Sequence, residues 1–253
     1  LEVQTVLSSH VEKLSVQVFS DRKSLGKAAA AQVAAVVKEL LSSQNEIRMI
    51  FAAAPSQNEF LEELLLIDGI DWTRITAFHM DEYIGLPAGA PQMFSAFLRH
   101  RLFEKVPFAS VHLIDSTNLI KAECDRYEAL LQEKPIDIVC LGIGENGHIA
   151  FNDPPVADFG DRSWVKPVEL DLACRLQQVN DGCFTALEDV PTHAITLTIP
   201  ALLSGAHLFC MVPGQNKREA VRRTLYEPIS TSCPASILRH HSSCRLYVDL
   251  DSY

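Results

Sequence analysis

Residues 136–144 read IDIVCLGIG, and the chain continues ENGHIAFNDPP over 145–155. A continuous apolar run of this length fits a strand buried on both faces, as in a parallel sheet. The glycines and polar residues that follow end the strand in a tight turn, where backbone can approach a ligand. Outward from this stretch, short β-rich runs alternate with segments of helical period almost throughout.

Upstream, SVQVF (15–19), IRMIFAAA (47–54), ITAFHMD (75–81) and VHLID (111–115) read as strands. Between and after them, 24–41, 57–66, 93–105 and 119–132 read as helices, the first rich in good helix formers. Downstream, 147–190 reads as irregular, followed by strands ITLTI (195–199), HLFCMVP (207–213) and CRLYVDL (244–250). Helices are expected over 217–225 and near 233–239. This alternation predicts an α/β fold, a doubly wound and mostly parallel sheet with helices on both faces, forming one domain over 1–253.

Composition narrows the function classes. The chain has 253 residues, 47% hydrophobic and 21% charged, which excludes a disordered or collagen-like protein. Lys and Arg total 22 against 32 Asp and Glu, a formal charge of −10 without a basic cluster, so nucleic acid is not an expected partner. An anionic ligand would need a focused positive pocket working against that field. The seven cysteines are odd in number and lack C-x-x-C spacing, which suits reduced thiols in a cytoplasmic protein. No apolar run approaches the ~18–20 residues that span a bilayer, so no membrane role is expected.

In open α/β sheets ligands bind beyond the carboxyl ends of the strands. Four polar segments fall at such ends: Pro55-Ser56-Gln57-Asn58, His79-Met80-Asp81-Glu82-Tyr83, Gly144-Glu145-Asn146-Gly147-His148, and Pro213-Gly214-Gln215-Asn216-Lys217. Their convergence on one rim is the main functional expectation. Gly142 to Gly147 matches G-x-G-x-x-G, yet Asn152-Asp153-Pro154-Pro155 blocks the long helix a dinucleotide site requires. Neither G-x-x-x-x-G-K-[ST] nor G-x-S-x-G occurs, which argues against a P-loop and a serine hydrolase.

What remains is acid–base chemistry. His148 at a turn with Asp153 five residues on suits a His–Asp pair for proton transfer, or else a turn-capping histidine. Alternation through ITAFHMDEY sends His79 and Asp81 to one face and Glu82 to the other. One of these acids suits a general base; the alternative is two solvated loop acids. His79, Asp81, Glu82, His148 and Asp153 are metal ligands by type, but none has a strong metal-site spacing, and no metal is assigned. Lys217, opening a helix, suits an anion.

The segments HMDEYIGL (79–86) and LGIGENGHIAFNDP (141–154) resemble those of the glucosamine-6-phosphate deaminase family, also called glucosamine-6-phosphate isomerase, within a wider superfamily that includes 6-phosphogluconolactonases. The resemblance covers almost the whole chain. It implies metal-independent and cofactor-free aldose–ketose isomerisation with loss of ammonia from an amino-sugar phosphate, by default glucosamine 6-phosphate. Asp81 then matches the base that moves a proton between C2 and C1, and His148 the ring-opening histidine. Asn146 matches a supporting position, and Asp153 stands where the family usually has Glu, so its contact with His148 is direct, water-bridged or displaced. Lys217 and the loop Pro55, Ser56, Gln57 and Asn58 match the phosphate-binding positions.

Departures accompany these matches. The 55–60 loop, PSQNEF, lacks the family's glycines and brings Glu59 towards the phosphate pocket. Gln178 stands where the family has an anion-binding arginine, with Arg175 three residues earlier. Val156, Ala157, Trp164, Lys166 and Pro167 stand at the family's activator site, so that activation is not expected. A lactonase-like hydrolase and a non-catalytic sugar-phosphate-binding regulator remain as alternatives. A homo-oligomer is left open.

Overall fold

The apolar runs assemble into an eight-stranded sheet. In the computed structural model, which describes residues 3–253, the chain begins with an antiparallel hairpin of β1 (Leu7–Val11) and β2 (Leu14–Phe19). Helix α1 (Arg22–Ser43) is capped by Asp21, whose carboxylate accepts from the Ser24 N–H at 2.8 Å. Next come β3 (Ile47–Phe51), α2 (Asn58–Leu65) and β4 (Ile75–His79). Strand β5 (Asp81–Ile84) precedes α3 (Phe94–Leu98), which continues in a wider π-type turn over Arg99–Phe103.

Then follow β6 (Ser110–His112), α4 (Ile120–Gln132), β7 (Ile138–Leu141), β8 (Val165–Glu169) and α5 (Leu172–Asn180). The chain ends with β9 (His193–Leu197), α6 (Ile199–Leu203), β10 (His207–Val212), α7 (Arg218–Tyr226), a 3-10 stretch over Pro234–His240 and β11 (Cys244–Asp249).

The large sheet runs β1-β2-β11-β10-β7-β3-β4-β6, and all its pairs except β1–β2 are parallel. Its strands are buried on both faces. Ile138, Cys140, Phe209 and Met211 join the core under α1, α2 and α3, whereas Val139, Leu141, Leu208 and Cys210 join the core under α4, α6 and α7. The doubly wound expectation holds. From β3 the chain crosses to β4, and from β7 it crosses to β10 on the opposite side, so the crevice between β3 and β7 is the topological switch point.

Three expectations need correction. Residues 75–81 are not one strand: at Met80 the chain leaves the large sheet, and β5 joins a separate antiparallel sheet of order β5-β9-β8. Strand β9 therefore belongs to that second sheet as well. The region 147–190, read as irregular, contains β8 and α5. The expected strand over 15–19 is the second arm of a hairpin whose first arm, β1, was not expected; its turn holds Glu12 in the left-handed region, φ 53°, without the Asn-Gly pair that marks such turns.

Among the described residues no helix is long and apolar enough to cross a membrane. All seven cysteines are unpaired thiols, six of them buried and Cys183 half-buried.

Candidate active site

The four polar loops do meet. A cleft open towards solvent takes Ser56 and Gln57 from the turn after β3, Met80 and Asp81 from the β4–β5 break, Gly144 and His148 from the turn after β7, and Lys217 from the turn after β10. Helix α5 closes the cleft with Gln177, Gln178 and Asp181. Pro55 and Asn58 belong to the same turn but do not line the cleft.

The turn after β7 is shaped by its glycines. A Cβ on Gly144 would sit 2.0 Å from the His148 ring, so only glycine leaves the imidazole its place. Gly147 has φ +86°, and a Cβ there would meet Cys233 Sγ at 2.7 Å. The last glycine of G-x-G-x-x-G opens this turn rather than a helix, which removes the basis of a dinucleotide site.

Behind His148 lies a buried polar cluster. Nδ1 of His148 is 2.7 Å from Asn146 Oδ1 and 3.0 Å from Asp153 Oδ1. Asn146 also accepts from the His148 N–H at 3.0 Å and donates through Nδ2 to Asp153 Oδ1 at 3.1 Å. Acceptors on both sides of Nδ1 keep the ring proton there and leave Nε2 with a free lone pair. Asp153 is fully buried, and its contact with His148 is direct despite the shorter side chain. Burial pushes the Asp153 carboxyl up, but the hydrogen bond and charge of His148, with Asn146 and the Asp171 N–H, together hold it below its usual value.

The two acids that open β5 are both buried, which rules out solvated loop carboxylates. Glu82 accepts from three backbone N–H groups, those of Tyr83, Phe94 and Ser95, at 3.0, 3.0 and 2.9 Å. It thereby anchors the start of α3. Asp81 faces the cleft instead. Burial pushes its carboxyl well above the usual range, and the charge of Glu82 adds to that. His79 is not in the cleft: its Nε2 accepts from the Ile114 N–H at 2.8 Å, and burial, then Arg99, lowers its pKa to about 3.

Lys217 is the one lysine or arginine that lines the cleft, and it forms no ion pair with the described residues. Burial lowers its pKa, against the opposing pull of Asp181 and Glu145. Glu59 does not approach this end of the cleft as a free charge. Arg22 grips it with two bonds of 2.5 and 3.0 Å and also donates to Pro55 O at 3.1 Å. Arg175 offers no replacement cation either, since its guanidinium donates to Leu187 O and Val190 O. Gln178 does line the cleft, held by Tyr83 Oη, which donates to its Oε1 at 2.8 Å.

Sequence reasoning missed Gln177, Asp181 and Cys174. They stand on or just after α5, whose buried side carries amides and a thiol while Leu172 and Leu176 are exposed. Of the five candidate metal ligands, only His148 and Asp153 cluster, joined by Cys174.

The family model for glucosamine-6-phosphate isomerases/6-phosphogluconolactonase matches residues 20–247. A glucosamine-6-phosphate deaminase of Listeria welshimeri is 34% identical over 224 residues, 88% of this chain and 94% of that protein. One of Exiguobacterium sibiricum is 37% identical over 183 residues, covering 72% and 71%. Among solved structures, a monomeric glucosamine-6-phosphate deaminase superposes with a TM-score of 0.86 at 29% identity, covering 94% of this chain and 98% of that one. A 6-phosphogluconolactonase from Thermotoga maritima shares the fold, with a TM-score of 0.77 at 19% identity over 94% and 100% of the two chains. With the fold, the switch-point cleft and these matches in agreement, the chain belongs to the glucosamine-6-phosphate isomerase/6-phosphogluconolactonase family.

Proposed function

We propose that this protein is an amino-sugar-phosphate deaminase and isomerase, converting glucosamine 6-phosphate and water into fructose 6-phosphate and ammonia, with residues 1–253 acting as one domain. The observation that carries this reading is a single cleft lined by two complementary proton carriers. One is Asp81, a buried carboxylate that faces the cavity; the other is His148, whose Nδ1 is tied to Asn146 and Asp153 so that Nε2 is free.

In this reading His148 Nε2 takes the proton from the O1 hydroxyl of the closed sugar and returns it to the ring oxygen, opening the pyranose. Asp153 and Asn146 hold the ring orientation and stabilise the transient imidazolium. Asp81 then removes the proton on C2 and delivers it to C1, while a proton given up by the amine nitrogen passes to O1. The product of that transfer is a C2 ketimine. Water adds at C2 and the C–N bond breaks, so the net reaction consumes one water and releases ammonia.

Burial suits Asp81 to this task, because a dry carboxylate with a raised pKa is a stronger base once ionised. Lys217, with Ser56, Gln57 and the amide of Gln178, supplies the donors for the 6-phosphate, and the reaction belongs in the cytoplasm.

The test is ammonia release from purified protein with glucosamine 6-phosphate, galactosamine 6-phosphate and unphosphorylated glucosamine in parallel. Release from a phosphorylated sugar is expected. Hydrolysis of 6-phosphogluconolactone without ammonia from any amino sugar would overturn the reading in favour of a lactonase.

A further inference from the structure

The wall behind His148 contains a thiol that the proton transfers above do not use. Cys174, buried on α5, lies with His148 and Asp153 in a trio whose ligating atoms are all within 4.8 Å of one another. We propose that these three side chains form an inhibitory binding site for a thiophilic divalent cation of the Zn²⁺ type.

The donor set decides the class of ion. Imidazole nitrogen, carboxylate oxygen and thiolate sulfur are the three kinds of zinc ligand, and three protein ligands leave a fourth position for water. Mg²⁺ and Ca²⁺ demand oxygen and are excluded by the sulfur. Zinc bonds of ~2.0–2.3 Å put tetrahedral donors roughly 3.3–3.8 Å apart, so the trio contracts by about 1 Å at its widest. His148 Nδ1 and Asp153 Oδ1 are already 3.0 Å apart. Asp153 Oδ2 accepts from the Asp171 N–H at 3.2 Å, a contact that steadies the carboxylate from behind. His148 lines the cleft, so the trio lies directly behind the cleft wall.

Binding displaces two protons. The Cys174 thiol loses its proton to solvent and binds as thiolate. The imidazole proton moves from Nδ1, which ligates, to Nε2, which thereby loses the lone pair that ring opening needs. Inhibition in this form rests on the function proposed above; ion binding does not.

The experiment titrates the whole protein with CoCl2 and then ZnCl2, beside Cys174→Ala, Cys174→Ser and, as a neighbouring buried thiol, Cys233→Ala. Wild type should bind one Co²⁺ per chain with a thiolate-to-cobalt charge-transfer band that Zn²⁺ removes. The band should persist in Cys233→Ala and vanish in both Cys174 variants. Zinc affinity in those variants should fall at least about 100-fold, because loss of a mere outer-shell partner already costs ~10–100-fold. Thermal melts identify whichever Cys174 variant is folded.

A band that survives in a folded Cys174 variant, or wild type that binds zinc with no thiolate band or not at all, would overturn the site. Zinc inhibition of ammonia release should be reversed by EDTA and be weaker in the Cys174 variants; undiminished inhibition there would overturn the link to His148. If no sugar releases ammonia, the proposed function fails, while the cobalt and zinc titrations still decide the site.

Discussion

Tyr83 Oη donates to Gln178 Oε1 at 2.8 Å, and both side chains are buried, so the amide stands in a fixed orientation at the wall of the cleft. With Oε1 engaged, Nε2 and its two N–H groups remain for a ligand. The cleft wall thus presents a neutral donor at Gln178.

Gln178→Ala should raise KM for a phosphorylated sugar about tenfold or more with kcat little changed, since a hydrogen bond to a charged group contributes ~1.5–3 kcal/mol. Tyr83→Phe should move KM the same way by a smaller factor, because the amide is then free to rotate. Gln178→Arg should lower KM. Steady-state ammonia release checks all three, and equal effects on unphosphorylated glucosamine would refute the assignment to the phosphate end.

Asp153→Asn replaces an ionised acceptor behind His148 with a neutral amide. The expected result is a loss of about 10²–10⁴ in kcat, the usual contribution of positioned acid–base catalysis, with KM nearly unchanged. Ammonia release under saturating sugar phosphate gives the measurement. A loss confined to KM would place Asp153 in binding rather than proton transfer.

Burial raises the pKa of Asp81, and the charge of Glu82 raises it further. As the proposed base, Asp81 works ionised, so activity should fall as pH drops through that raised value. Glu82→Gln removes the neighbouring charge yet keeps an oxygen for the Tyr83 and Phe94 N–H groups. The acid limb of kcat/KM should therefore shift to lower pH. A shift to higher pH would contradict the electrostatic coupling of the two acids.

The same carboxyl should cost stability. Its folded-state pKa lies above its unfolded one, so ionisation opposes folding: the penalty is absent below the unfolded pKa and grows as pH rises through the folded value. Asp81→Asn should raise Tm at neutral pH, and this advantage should vanish in acid. Thermal melts across pH test it, and an unchanged or lower Tm at neutral pH would remove the argument.

The parallel core was legible because apolar runs such as IDIVC have one structural use in a chain that alternates strands with helices. The rim loops followed from the same pattern, and with them Asp81, His148 and Lys217. The second sheet was not legible. Apolar alternation continues through Met80, and nothing local distinguishes a strand that stays in its sheet from one that changes sheets. Helix α5 was hidden for a different reason: its inward residues are Cys174, Gln177 and Gln178, while Leu172 and Leu176 face outward, so its period is reversed in hydropathy. The fate of Glu59 depended on Arg22, 37 residues away, a pairing that only the packing of α1 on α2 creates.

The break at Met80 puts Asp81 on the second sheet, while His148 stays in the loop after β7, and two side chains tie that loop to the second sheet. Thr196, opposite Asp81 in β9, accepts from the Phe151 N–H at 3.0 Å, and Asn152 donates to Leu197 O at 2.9 Å. The span between Asp81 and His148 is therefore adjustable from outside the cleft. Laboratory evolution towards a bulkier amino sugar should select at Thr196 and Asn152 while sparing every residue the sugar touches.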